Sequence, residues 1–531
     1  MPTSRTAWRT GLAAVATAAL ATSALAGCSA DPNAPVTIAT TVELSSLDPA
    51  AVSDPDAAAI LGQFYPRLLD WDPEIGELTN ELADSAGFTT PTEYTVTIPD
   101  GLSFSNGHDL TSSDVVFSFE RQAAIPGGAV TRGLLVGLVS VTAVDANTVV
   151  FSLEAADAAF PSALAGAAGA ILDEEVFSAD AITPDPDILA GGGFAGEWQI
   201  IAMDGTTLTV IPSEEEPGSP TARRLVLTMA LSGDEVVSRV SSGVALAGFG
   251  ELTRAQHDAL SALEGVSERS RLSGAIRLLA FDASTQPFGT ATDDKNPAKA
   301  LAVRQAVAAL IDRDALSRAA GDSWVSEIHW VPTAPTTITS SAAAPGEPTP
   351  TSAPKQSPAA HASALLATAG IEDPVALSIT RAADAGDLSG DAVYAELESE
   401  LEASGLFEVT VTTLETGFDR ALLSEKRYPV LDVLVDSLQP GPVGVYTDVQ
   451  SSWRGLPTGI ATSGVDALIG RLATTTGAEE RAAIVAQIES KLSASVTTIP
   501  LLAARDVLYL GPGVPAGIDL PELAWFDGLA S

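Results

Sequence analysis

The chain has 531 residues and carries 27 Lys and Arg against 68 Asp and Glu, a formal charge of −41 at pH 7. So acidic a surface excludes nucleic acid as a partner, because phosphate binding needs clustered cations. A single cysteine excludes an intramolecular disulfide, and the length exceeds what one hydrophobic core organises, so two or three domains are expected.

Arg5 and Arg9 precede an apolar run from Gly11 to Ala26, which has the form of a secretion signal. Spanning a bilayer takes about 20 apolar residues, so this run is a marginal anchor by itself. Leu25-Ala26-Gly27-Cys28 resembles the bacterial lipobox, whose cysteine thiol receives a diacylglycerol and becomes the mature N-terminus. Each acyl CH2 placed in lipid contributes about 0.8 kcal/mol, so two or three chains tether a protein stably. On this reading residues 1–27 are a signal peptide, Cys28 is the lipid attachment point, and the protein sits on the extracytoplasmic face of a bacterial membrane. No later stretch offers a long uninterrupted apolar run, so the rest is expected to be soluble.

Further along, "PVTIAT" (35–40) alternates like a short strand, and "FYPRLLDWDPEIGEL" reads as a helix end running into a turn. Tyr94, Val96 and Ile98 share one face of a strand that turns at Asp100-Gly101. Thr111 or Ser112 caps a helix with Val115, Val116 and Phe119 on one stripe, and a hairpin follows around Asp145-Ala146-Asn147. The Gly-rich stretch 191–194 leads into two strands; no P-loop lysine follows it and no GxGxxG fits. Asn296 caps one helix that runs to Gly321, with Pro297 at its first turn, where a missing N–H costs nothing. The Pro/Thr/Ser/Ala tract from Pro332 to Pro358 cannot bury a core and is expected to be a mobile loop. Beyond it come helix 361–369, a strand at 375–380, helix 390–404, strands at 407–413 and 430–436, helices at 464–474 and 478–493, and the strand "TTIPLL". Alternating strands and helices with antiparallel pieces indicate an α/β protein.

The order of these motifs carries a resemblance. "LSSLDPA" (44–50), "ELADSAGFTTPTEYTVTIPDGLSFSNGHDLTSSDVVFSFER" (81–121), "GGGFAGEW", "AFDASTQPF" with "LAVRQAVAALIDRDAL", "SALLATAGI", "YPVLDVLV" (428–435) and the segment 464–502 follow one another as in the family-5 extracellular solute-binding proteins of ABC importers. These are the oligopeptide-, dipeptide- and nickel-binding proteins. The resemblance implies the two-lobed periplasmic-binding-protein fold, type II or cluster C, with an extra subdomain on the first lobe and a cleft that closes by hinge bending. It places lobe I at 28–75, 192–283 and 497–531, the extra subdomain at 76–191, and lobe II at 284–496. The strand crossings between lobes are expected near Leu279–Ser284 and Thr497–Leu502. The implied partners are a peptide or another small polar solute, an ABC permease with its ATPase, and the membrane through the lipid anchor. The chain is expected to be a monomer without cofactors.

In peptide-binding relatives an acidic residue four positions before the Leu of "SLDP" can face the ligand; here that position is Glu43, either a ligand contact or a solvated loop carboxylate, with Ser45 beside it. Asp48-Pro49 reads as a turn former. Relatives that hold a peptide's amino group use an aspartate in a "yD…W..D..DP" segment. Asp432 matches the first Asp, but Pro442 stands ten residues on and the Trp is absent. Asp436 is then either a replacement carboxylate at the strand end or a loop cap, and Gln439 follows it. Trp330 and Trp453 either stack on a ligand or sit in the core. Asp282, where the family often has Asn, either reaches the cleft or bonds backbone at the hinge. The four histidines, His108, His257, His329 and His361, show no i,i+3 or i,i+4 spacing, and no free thiol remains after lipidation, so no metal site is expected. Neither a GxSxG elbow nor an HExxH motif is present, which argues against a surface hydrolase. A receptor of the same fold with a sensing or adhesion role is the remaining alternative.

Overall fold

The computed structural model describes residues 35–52, 54–72, 77–125, 135, 137–157, 160–213, 224–321, 324–331, 357–382, 390–414, 427–435, 441–450, 458–459, 462–475 and 478–511. Cys28, the tract 332–356, Asp436, Gln439 and Trp453 lie outside them. Among the described residues no helix is long and apolar enough to cross a membrane.

Strand β1 (Val36–Thr40) opens the chain, followed by a hairpin of β2 (Leu69–Asp72) and β3 (Glu77–Asn80). This hairpin corrects the reading of 64–78 as a helix end. The helix stops at Leu61, and Trp71 then pairs across to Leu78. Strands β4 (Ser85–Thr90), β5 (Glu93–Thr97), β6 (Leu138–Ala143) and β7 (Thr148–Leu153) form a separate sheet in the order β4-β5-β7-β6. The helix Ser112–Ala124 packs on it, started by a capping box in which Thr111 and Asp114 satisfy each other's backbone N–H groups. Next come β8 (Trp198–Asp204), β9 (Thr207–Pro212), β10 (Leu225–Thr228), β11 (Ala247–Phe249) and the long β12 (Ser267–Phe281). The last group is β13 (Trp324–Ser326), β14 (Val375–Ala382), β15 (Phe407–Leu414), β16 (Val430–Val435) and the long β17 (Thr498–Leu510).

The segment expected as one helix to Gly321 is two, Pro297–Leu310 and Arg313–Ala320. Ile311 is extended, and the Asp312 carboxylate accepts from the Ala315 N–H, so a second cap interrupts an apolar pattern that is otherwise continuous. The helix expected from 361 starts instead at Pro358 behind a Ser357 cap, whose side chain accepts from the Ala360 N–H, so the last two residues of the tract expected as a loop begin this helix.

Among the described residues a hydrogen-bonded series of eleven strands runs β15-β14-β16-β12-β17-β11-β1-β10-β9-β8, with β13 pairing β17. Buried residues fall into separate clusters. One core gathers Val36–Tyr65, parts of 170–229 and Leu508, beside a smaller one around Val236, Leu260 and Tyr509. Two more cover the faces of β12 and β14–β16 in the second lobe, and a further core lies between Leu68 and Ile171 under the four-stranded sheet. The result is two α/β lobes sharing two long strands, with an extra unit on the first.

Strands β12 and β17 are the only described strands that belong to both lobes. Ser267–Arg269 face Leu508–Leu510, which also pair with β11, whereas Ile276–Phe281 pair with β16. The pairing slips between Leu272 and Ile276, opposite Ala503–Arg505. There the chain passes between lobes. The segments expected as crossings, 279–284 and 497–502, instead begin inside the second core, where Leu279, Phe281, Ile499 and Leu501 are buried. A strand that changes partners without leaving the sheet shows no break in its apolar pattern.

Candidate functional site

In the first lobe β1 runs parallel to β10 and β11, and in the second β14 runs parallel to β15 and β16. The end of β11 lies opposite Leu508 and the end of β16 opposite Ile276, so both groups direct their carboxyl ends toward the crossing at 272–276 and 503–505. Ligands of open α/β sheets bind outside the carboxyl ends of the strands. Facing sets of strand ends across a two-strand joint form a cleft by construction.

On the first-lobe side the loop after β1 is held from several directions. The Leu231 N–H donates to Thr40 O at 3.1 Å, the Ala230 N–H to Val42 O at 2.8 Å, and the Glu251 N–H to Thr41 Oγ1 at 2.8 Å. Gly250 has φ +117, and a Cβ there would meet Thr41 Oγ1 at 2.2 Å, so only glycine fits. Val42, Leu44, Ser46 and Leu47 are buried, which leaves Glu43 and Ser45 exposed between them. Further down, Leu47 N–H and Ser46 Oγ donate to Asp185 Oδ1 at 2.8 and 3.1 Å, and the Tyr65 hydroxyl donates to Leu47 O at 2.9 Å. Burial, with Asp48 nearby, holds the Tyr65 hydroxyl well above the usual phenol range.

Asp48 is the anchor of this loop. Arg121 Nη1 and Nη2 donate to its two carboxylate oxygens at 3.0 and 2.5 Å, and neither side chain is exposed. The carboxylate also accepts from the N–H groups of Ala50 and Thr183, while Arg121 donates to the carbonyls of Ser178 and Ala181. The turn-forming reading of Asp48 fits this geometry, with a buried ion pair added that no local pattern indicates.

Across the joint, the buried Arg277 faces Asp432 at 3.4 Å, and its guanidinium lies 5.2 Å from the Trp324 ring. Leu434, paired in register with Arg277, is 40% exposed at the end of β16. Arg505 donates to Ser270 Oγ and to Glu268 Oε1 at the crossing itself. Arg277, Trp324, Leu434 and Arg505 were not singled out by sequence. A lone charge in an apolar strand such as "GAIRLLAF" or "VLDVLV" demands a buried counterpart, and that was the available signal.

The structure thus sets Glu43 and Ser45 at the strand ends of the first lobe, whereas Asp436, Gln439 and Trp453 lie outside the described residues. Asp282 and Trp330 are elsewhere. Asp282 lies about six residues past the crossing, roughly 20 Å along a strand at about 3.3 Å per residue. Its carboxylate accepts from the Ser284 and Thr285 N–H groups at 2.8 and 2.9 Å and from Arg427 Nη1 at 3.1 Å. Trp330 is 3% exposed and donates Nε1–H to Thr498 Oγ1 at 2.6 Å. Its backbone N–H donates to Glu489, which also accepts from the Tyr446 hydroxyl at 2.6 Å and faces His329 Nδ1 at 3.3 Å. The Glu489 hydrogen bond raises the His329 pKa, and burial raises those of Glu327 and Tyr446. This polar knot fastens the segment 327–330 to the helix Ala478–Ser495. Both residues serve packing here rather than the strand ends.

Solved structures with the same fold include the periplasmic murein tripeptide-binding protein MppA in its unliganded open form, at 16% identity and TM-score 0.68, covering 90% of this chain and 93% of that one. HbpA2 from Haemophilus parasuis matches at 16% identity and TM-score 0.70, covering 90% and 95%. A dipeptide-binding protein from Pseudoalteromonas sp. SM9913, in complex with Met-Leu, matches at 16% identity and TM-score 0.63, covering 91% and 96%. No curated protein sequence matches the chain. The family model described as bacterial extracellular solute-binding proteins, family 5 Middle, matches residues 77–450. With the fold, the crossing strands and this match over most of its length, the chain belongs to the family-5 bacterial extracellular solute-binding proteins.

Proposed function

We propose that this chain is the lipid-anchored receptor of an ABC importer, which captures a peptide or similar polar solute between its lobes and delivers it to a membrane permease and its ATPase. The observation that carries the reading is the convergence of both sets of strand ends on the β12–β17 crossing, in a chain of a solute-binding family. Glu43 and Ser45 then face the solute from the first lobe, and Asp436, Gln439 and Trp453 from the second. Closure about two strands shifts a population only if the solute gains contacts in the closed state that the open state lacks. Solved neighbours named for a murein tripeptide and a dipeptide support peptides as the first class to try.

Thermal unfolding with dipeptides and tripeptides tests the solute. A ligand that binds only the native state stabilises it by about 2.7 kcal/mol at one hundred times Kd, which raises the midpoint of a protein this large by a few degrees. Glu43→Gln should reduce the shift from free peptides and leave the ligand-free midpoint unchanged. N-acetylated peptides should lose most of it, because a charge-assisted hydrogen bond disappears and the carboxylate stays unpaired. A shift from sugars or opines with none from peptides would remove peptides from the proposal. The anchor has its own check: intact-mass measurement should find an acylated Cys28 as the first residue, and an unmodified thiol there would refute it.

A further inference from the structure

Away from the cleft, the extra unit meets the first lobe at a small polar junction. The turn Phe104–Asp109 leaves the core under the four-stranded sheet, where Phe104 is buried. It reaches the lobe through Ser105 N–H to Phe194 O, Ser105 Oγ to Gly192 O and Asn106 Nδ2 to Gly191 O, at 2.6, 2.6 and 2.9 Å. Opposite this turn, Ile171 packs into the core of the extra unit and Leu172 into that of the lobe. The next residue is Asp173. Its side chain is fully buried, with Oδ2 2.9 Å from His108 Nδ1 and Oδ1 accepting from the Glu175 N–H. Glu175 Oε2 stands 3.6 Å from the same His108 nitrogen. One donor atom from each of the three residues lies within 4.8 Å of the others.

We propose that His108, Asp173 and Glu175 bind one divalent transition-metal ion, with Zn2+ the best match, and that the ion staples the extra unit to the first lobe. A tetrahedral zinc with bonds of about 2.0–2.2 Å sets neighbouring donors about 3.3 Å apart. The spacings of 2.9 and 3.6 Å about His108 Nδ1 bracket that edge length, so the ion replaces a hydrogen bond without refolding the site. Two carboxylates and a neutral imidazole supply the charge of minus two that balances the ion. Asn106 Nδ2 donates to Asp173 Oδ2 at 2.7 Å while held by Gly191 O, the kind of outer hydrogen bond that orients a metal-binding carboxylate. His108 and Glu175 side chains are 43% and 58% exposed, which gives the ion a path in and leaves a fourth position for water. Calcium and magnesium are poorer matches, since they take six or more oxygen ligands and gain little from imidazole. Spacing along the chain does not disclose this site, because His108 and Asp173 are 65 residues apart and only the junction brings them together.

The test is equilibrium dialysis of the whole chelator-stripped protein against zinc chloride at neutral pH, with bound metal counted by elemental analysis. The expected result is one tightly held equivalent, with affinity reduced at least about tenfold in each of His108→Ala and Glu175→Gln. Glu175→Gln changes an exposed side chain and leaves the buried Asp173 its partners, whereas His108→Ala leaves that carboxylate only its Asn106 and Glu175 N–H donors. Thermal unfolding therefore first establishes that each variant is folded, and Glu175→Gln keeps the test readable if His108→Ala is not. Absence of retained zinc in the wild-type protein would overturn the proposal. Wild-type affinity in both variants would do the same, since the metal would then sit on other carboxylates. Displacement of zinc by an equimolar amount of calcium would overturn the transition-metal assignment. Because these residues belong to the junction of the extra unit with the first lobe and not to the strand ends, peptide binding is expected to be the same with and without zinc, and failure of either proposal leaves the other readable.

Discussion

Arg121→Met should destabilise the protein by about 3–5 kcal/mol, the cost of leaving a buried carboxylate without its counterion. Asp48 has no exposed surface through which water could replace the guanidinium, and both its carboxylate oxygens accept from Arg121. The same substitution frees the Ser178 and Ala181 carbonyls that Arg121 holds, so the path from 178 to 183 loosens as well. Urea unfolding should report the loss as a lower midpoint. A change below about 1 kcal/mol would show that Asp48 is held by its backbone donors alone. The double variant Asp48→Asn, Arg121→Met should recover part of the loss, because no ion then remains buried. Solute binding should weaken in the single variant beyond what the fold loses. Glu43 and Ser45 are presented on a loop whose far end is this ion pair, and a small displacement there costs orientation.

Trp330→Ala should cost a similar amount, about 3–5 kcal/mol, since it opens a cavity in the core shared with Tyr446, Ile488 and Leu492. It also removes the Nε1–H donated to the buried Thr498 Oγ1. Trp330→Phe should be milder, retaining most of the apolar contact and losing the hydrogen bond of about 0.5–1.5 kcal/mol. Both variants, measured where they remain folded, should bind the solute as the wild-type protein does. The opposite pattern, unchanged unfolding with lost binding, would mean that the ring leaves the core to stack on solute.

Local chemistry by itself determined much of the secondary structure. Thr111 with Asp114 and Asn296 before Pro297 start helices where their side chains can satisfy nearby backbone N–H groups, and such contacts span a few residues. Alternation at Glu93–Thr97 and Thr148–Leu153 fixed which faces are buried, because a strand has only two. The ordered motifs from "LSSLDPA" to "TTIPLL" sufficed to point to the family. Tertiary structure decided the rest. Where β12 and β17 change partners depends on which strands lie beside them, and an apolar strand looks the same on either side of the slip at Leu272–Ile276. Asp282 and Asp432 are equivalent in sequence as carboxylates at the limits of apolar runs. One caps a loop, with the half-exposed Arg427 beside it, and the other meets the buried Arg277, because the fold supplies loop N–H groups to the first and a neighbouring strand's guanidinium to the second. His108, Asp173 and Glu175 illustrate the same limit. Their chemistry arises from distances of 2.9 and 3.6 Å across a junction between two cores, and a distance between cores is a property of packing, not of any one segment.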